Sequence, residues 1–108
     1  MFVSLNHVAI ATTHYDWYVD LCRTLFLMNE VKSIGDKGRR KCWFKEGIQI
    51  NEVIGDLGGT GRLDHLALSI SDEKDILSKI TKYGVEQLDK EGCWLRLPDG
   101  LLIECLEK

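Results

Sequence analysis

The sequence predicts an α+β fold in which one strand, helix, strand, strand, strand unit occurs twice, and three internal echoes predict it. Leu5-Asn6-His7-Val8-Ala9-Ile10-Ala11 returns 58 residues later as Leu63-Asp64-His65-Leu66-Ala67-Leu68-Ser69. Cys42-Trp43-Phe44-Lys45 is answered by Cys93-Trp94-Leu95-Arg96. Gly47-Ile48-Gln49-Ile50 is answered by Leu102-Ile103-Glu104-Cys105, each with one long polar side chain among apolar neighbours. A self-similar period is the signature of a duplicated structural unit. The expected division is module one at 1–54, a linker at 55–62 and module two at 63–108.

Each element has its own warrant. Residues 3–11 alternate, with Val3, Leu5, His7, Ala9 and Ala11 on one face and Ser4, Asn6, Val8 and Ile10 on the other. Both faces are largely apolar, which predicts a central strand. Thr12 or Thr13 is placed to cap the following helix, with Asp16 in its first turn. Trp17, Tyr18, Leu21, Cys22, Leu25 and Met28 form the apolar stripe expected to face the sheet. Val31 and Ile34 then suggest a strand, Gly35-Asp36-Lys37-Gly38 a turn, and 40–45 a third strand. Glu46-Gly47 reads as a tight reversal into a fourth strand at 48–53.

Gly55 to Gly61 holds four glycines in seven residues and lacks the Gly-Lys-Ser/Thr ending of a phosphate-binding loop, so it reads as the linker. In the second half, 63–70 is the strand bearing His65, and Ser71 or Asp72 caps a helix with Ile76, Leu77, Ile80 and Tyr83 as its buried stripe. Gly84 stops that helix. Short strands follow at 85–88 and 93–97, then the turn Pro98-Asp99-Gly100 and a closing strand at 101–106.

Composition limits the functional classes. With 44% apolar and 29% charged residues, the 108-residue chain can build one small core, whereas a lone half would bury too little to stand alone. The net charge of −3 is scattered, with no basic run to follow a phosphate backbone, so nucleic acid is not an expected partner. The start lacks the basic leader and cleavage site of a secretory signal, and no apolar run reaches the length of a membrane span. A cytoplasmic location is expected, with Cys22, Cys42, Cys93 and Cys105 as reduced core residues because none forms a CxxC pair.

Four positions carry the chemistry: His7, Gln49, His65 and Glu104. A single histidine on an apolar strand is by default a satisfied core residue. Here two stand at equivalent repeat positions, Gln49 follows His7 by 42 residues, and Glu104 follows His65 by 39. If a two-fold axis relates the halves, these residues converge, and imidazole nitrogens with amide and carboxylate oxygens suit one divalent ion, whether Ni, Co, Zn, Mn or Fe. Three or four protein ligands leave coordination sites open to a substrate oxygen. Glu52 lies on the strand face opposite Gln49 and would serve only if that strand were slipped or bulged. His14 reads as a surface residue, and Arg39, Arg40 and Lys41 as a basic cluster of solvated charges that could also meet a substrate anion.

The motifs Leu-Asn-His-Val-Ala-Ile, Leu-Asp-His-Leu-Ala-Leu and Leu-Pro-Asp-Gly-Leu-Leu-Ile-Glu resemble those of the vicinal oxygen chelate superfamily over essentially the whole chain. That superfamily includes glyoxalase I, methylmalonyl-CoA epimerase, extradiol dioxygenases, fosfomycin resistance enzymes and bleomycin-binding proteins. The resemblance implies a single glyoxalase-like domain of paired βαβββ modules, whose curled sheets surround a cleft holding one metal ion. By position it implies His7, Gln49, His65 and Glu104 as ligands. The His, Gln, His, Glu order is closest to the epimerases, while bacterial glyoxalase I usually has Glu where this chain has Gln49.

The activity implied is that of a metal-dependent lyase or isomerase acting on a small oxygen-chelating substrate, with Glu104 exchanging a proton beside a bound carbonyl. Gln49 has no proton to exchange near neutral pH. One alternative is a metal-free, bleomycin-resistance type binding protein, its groove lined by Trp43, Trp94, Tyr15 and Tyr18. The other is a dioxygenase using His7, His65 and Glu104. A homodimer is the default assembly.

Overall fold

The computed structural model describes residues 2–55, 62–98 and 100–108. The described residues form eight strands, β1 Val3–Thr12, β2 Glu30–Ile34, β3 Lys41–Phe44, β4 Ile48–Glu52, β5 Arg62–Ile70, β6 Glu86–Gln87, β7 Cys93–Arg96 and β8 Leu102–Glu107. Helix α1 (Tyr15–Asp20) runs into a π-helical turn at Leu21–Leu25, and α2 (Glu73–Leu77) is followed by a 3-10 turn at Ile80–Tyr83. The class is α+β, and each predicted strand is present with its ends moved by one or two residues. Two compact units result: one comprises residues up to His7 together with His65–Lys108, the other Val8–Asp64.

In the Val8–Asp64 unit the strands hydrogen-bond in the order β2-β3-β4-β1. β1 and β4 are parallel with Ala9 opposite Gln49, and β3 lies antiparallel to β4 with Trp43 opposite Gln49. The parallel pair requires a crossover, which α1 supplies. Its buried face is Tyr15, Val19 and Cys22, spaced by four and three, and it closes a core with Cys42, Phe44 and Ile50.

That face departs from the expected stripe. Trp17 and Leu25 are exposed, and Tyr18 and Met28 pack only at the core's edge. The helix is anchored by Tyr15, which the sequence pattern left out, and Trp17, two residues on, falls on the opposite side of a 3.6-residue turn. The widened turn, closed by Phe26 N–H donating to the Leu21 carbonyl at 3.1 Å, then carries Leu25 off the stripe. The capping expectation also changes. The helix N-cap is His14, and Thr12 Oγ1 instead accepts from the His14 N–H at 2.9 Å, outside the helix.

The other unit places its strands in the order β1-β5-β8-β7-β6. β5 and β8 are parallel with Ala67 opposite Glu104, and β7 is antiparallel to β8 with Trp94 opposite Glu104. The start of β1 joins through Ser71 N–H donating to the Phe2 carbonyl at 3.2 Å and Phe2 N–H donating to Ser71 Oγ at 2.8 Å. Here Val3–Asn6 are exposed, so burial of the strand begins only at His7 rather than along its length.

Asp72 caps α2, its carboxylate accepting from Asp75 N–H at 3.0 Å. Gly84 ends the 3-10 turn in the left-handed region, φ 71°, where a side chain would be strained. Ile76, Leu77 and Ile80 pack on Ile70, Cys93, Leu95 and Cys105, whereas Tyr83, expected in the stripe, is exposed. All four cysteines are buried free thiols. Of the linker expected at 55–62, residues 56–61 lie outside the described residues, as does Asp99 of the expected turn. Gly100 N–H closes that turn on the Leu97 carbonyl at 2.9 Å.

Candidate metal centre

Three strands of one unit each supply a polar side chain at nearly the same place. β1 delivers His7 at the first position where that strand becomes buried, and β5 delivers His65 at its equivalent. β8 delivers Glu104 across from Ala67, whose single methyl, wholly buried, leaves room for the carboxylate. Glu104 Oε1 stands 3.4 Å from His65 Nε2 and 3.8 Å from His7 Nε2. The two imidazoles meet edge to face, with ring centroids 5.5 Å apart.

The electrostatics favour ligation. His7 is held below its ordinary pKa of 6.5, first by burial and then by the neighbouring His65, with Glu104 opposing. Its imidazole is therefore neutral near neutral pH, the form that offers a lone pair. Nδ1 of His7 lies 2.7 Å from Asn6 Oδ1, and Nε2 is a buried atom with no hydrogen-bond partner among the described residues. A buried nitrogen left open in this way suits a coordination bond.

The spacing of the three side chains suits one ion. Donors held at about 2.0–2.2 Å from one centre stand roughly 3–3.5 Å from each other, and the candidate ligand atoms here all lie within 4.8 Å of one another. His7, His65 and Glu104 therefore fit a single divalent ion once side-chain rotation draws the wider-set atoms together by about 1 Å. Trp94 packs edge to face on His65 at 4.7 Å, and Lys90 Nζ covers the other part of the indole at 4.1 Å. Trp94, read from sequence as a groove aromatic, thus braces a candidate ligand.

Gln49 belongs to the Val8–Asp64 unit. It is buried, and its amide N–H donates to Asn51 Oδ1 at 2.7 Å, which leaves that contact independent of the carbonyl oxygen. Glu52 is committed elsewhere. Its carboxylate accepts from the Arg40 guanidinium at 2.8 Å on each oxygen and from Gly38 N–H at 2.7 Å, and these donors hold its pKa down to about 2. Arg40 also pairs with Asp16 at 3.0 Å and stacks on Tyr15 at 4.4 Å. Arg40 is therefore structural, not a solvated charge waiting for a substrate anion. His14 is exposed at the start of α1.

A cavity of about 330 Å³ in the same unit is lined by Tyr15, Asp16, Arg23, Glu30 and Arg40 among others. Its cations are already paired, Arg23 with Glu30 and Arg40 with Asp16. Among the described residues no histidine lines it, so the chemistry is better sought at His7, His65 and Glu104. Asn6 and Ser69 were missed as functional candidates by sequence reasoning. The available signal was their place inside the histidine-bearing repeat.

No protein-family model matches this chain, and no curated protein matches it. Solved structures do. A hypothetical protein, BH1468 from Bacillus halodurans, superposes with a TM-score of 0.77 at 16% identity, covering 100% of this chain and 96% of that one. Methylmalonyl-CoA epimerase from Mycobacterium tuberculosis gives 0.72 at 21% identity, with 95% and 86% covered. BphC, a halotolerant catechol dioxygenase, gives 0.72 at 14% identity, with 94% of this chain and 39% of that one covered. The fold is that of the vicinal oxygen chelate superfamily. At these identities the likeness establishes the fold, and a vicinal oxygen chelate fold hosts unlike reactions on one scaffold. Among the described residues, no helix is long and apolar enough to cross a membrane.

Proposed function

We propose that the chain acts as one domain, a divalent-metal-dependent isomerase or lyase that moves a proton next to a carbonyl of a small oxygen-chelating substrate. The observation that carries the reading is the convergence of His7 Nε2 and His65 Nε2 on Glu104 Oε1. His7, His65 and Glu104 would hold the ion, with Gln49 as the fourth ligand on the strength of the sequence repeat. When bound, the ion supplies Lewis acidity, stabilising negative charge that develops on the substrate oxygens.

The chain's own residues do the rest. The imidazoles turn their Nε2 atoms to one point. Glu104, whose side chain is about one quarter exposed (23%), can swing from ligand to base, take the acidified C–H proton on a carboxylate oxygen and return it to another carbon or face. Trp94 limits the freedom of His65 while this happens. The substrate is a small molecule, and a homodimer is the expected assembly. A dioxygenase reading draws on the same three residues, since two histidines and one carboxylate also suit ferrous iron. The bleomycin-resistance type of binding protein is disfavoured by the retained histidine and glutamate set.

The test is a cobalt(II) titration of metal-free protein followed by visible absorption, with His65→Ala alongside. One equivalent bound by the wild type and lost in the variant supports the site. Epimerase and glyoxalase substrates then separate isomerase from lyase, and a catechol with dioxygen probes the second reading. Absence of binding, or binding indifferent to His65, overturns the metalloenzyme reading in favour of a binding module.

A further inference from the structure

The amide of Asn6 bridges two groups that it distinguishes chemically. Its Nδ2 lies 3.0 Å from Ser69 Oγ, and its Oδ1 lies 2.7 Å from His7 Nδ1. An amide oxygen only accepts, so the hydrogen between Asn6 and His7 belongs to Nδ1. A neutral imidazole has one N–H, and Nε2 is then left with the lone pair. The Glu104 carboxylate, 3.8 Å from Nε2, pulls the other way, because an anion there favours a hydrogen on Nε2. The two neighbours of His7 therefore compete for its tautomer.

We infer that Asn6 is a positioning residue that holds His7 in the Nδ1–H tautomer, so that its Nε2 lone pair faces Glu104, with Ser69 Oγ accepting from the other end of the Asn6 amide. Ser69 is wholly buried on β5, and its hydroxyl oxygen accepts from the amide nitrogen. Asn6 itself is exposed, so its side chain can be changed without opening the core. Outer hydrogen bonds of this kind fix the tautomer of ligating histidines, and losing one typically costs about 10–100-fold in metal affinity. The repeat suggests the conservative replacement: the residue before His65 is Asp64. An aspartate at position 6 keeps an accepting oxygen for Nδ1–H while the Ser69 hydroxyl turns to donate.

The affinity part of the inference rests on the metal reading, whereas the tautomer part does not. The experiment has two arms. Long-range proton–nitrogen correlation NMR on metal-free protein, above the ordinary histidine pKa of 6.5, reports which ring nitrogen of His7 carries hydrogen. Wild type and Asn6→Asp are expected to be Nδ1–H, and Asn6→Ala to shift to Nε2–H. Cobalt(II) titration should show affinity weakened about 10–100-fold in Asn6→Ala and largely restored in Asn6→Asp. A wild-type Nε2–H tautomer, a tautomer unchanged in Asn6→Ala, or an unchanged cobalt affinity overturns the inference. If the wild type binds no cobalt at all, the metal reading fails and the NMR arm alone decides the role of Asn6.

Discussion

Gln49 and Glu104 hold the same register position in their respective units. Each lies across from an alanine two residues after a histidine, Ala9 for Gln49 and Ala67 for Glu104. Each also lies across from a tryptophan on the antiparallel neighbour, Trp43 and Trp94 respectively. The duplication is therefore kept in strand pairing, and it differs at one chemically decisive point, where one copy has a carboxamide and the other a carboxylate.

That difference predicts the behaviour of Glu104→Gln. The variant keeps a ligating oxygen and loses the proton acceptor, so cobalt binding should persist while turnover falls by about 10²–10⁴, the usual range for a lost general base. Glu104→Ala should lose turnover and weaken cobalt binding together. Steady-state kinetics beside the metal titration separate the two. Full activity in Glu104→Gln would remove Glu104 from the proton transfer.

Gln49 offers a carbonyl oxygen not used by its contact with Asn51. The repeat that aligns it with Glu104 predicts that Gln49→Ala weakens metal binding, and that Gln49→Glu strengthens it by adding charge. Isothermal titration of the three proteins measures the order. Equal affinities would leave His7, His65 and Glu104 as the complete protein ligand set.

Glu52 sets an acid limit on stability. Its carboxyl is held at about 2 by Arg40, against an ordinary value of 4.5. As pH falls below 4.5 the unfolded chain takes up this proton first, so the contribution of the pair is full above pH 4.5 and is lost between 4.5 and about 2. Denaturant unfolding of wild type and Glu52→Gln should therefore differ most above 4.5 and converge towards 2. A gap that stayed constant through that range would show that the charge of Glu52 is not what the fold uses.

The thiols should be inert in the folded protein. Burial pushes Cys42 and Cys93 up to about 12 and raises Cys22 and Cys105 as well. The thiolate is the reactive species. Native protein is expected to react slowly with a disulfide reagent at neutral pH, and unfolded protein to release four equivalents rapidly. Fast labelling of Cys105 in the native state would reveal local opening beside Glu104.

The sequence by itself determined the duplicated strand and helix order, the turns at Gly47 and Gly84, and the choice of His7, His65 and Glu104 as candidate ligands, which the fold brings together. Those features follow from local rules: alternation along a strand, glycine where φ is positive, and a motif that repeats. The buried face of α1 did not follow from them. Tyr15 anchors that helix and Trp17, two residues on, falls on its opposite side, while a π-helical turn carries Leu25 off the stripe, and such a turn has no period of its own in the side-chain pattern. The fate of Glu52 also depended on tertiary structure, since only folding brings Arg40, twelve residues away, onto its carboxylate. Folding likewise decided that Asn6 meets both His7 and Ser69. A sequence records which groups can donate or accept, but the partner of each is chosen by distances of about 3 Å between residues far apart in the chain.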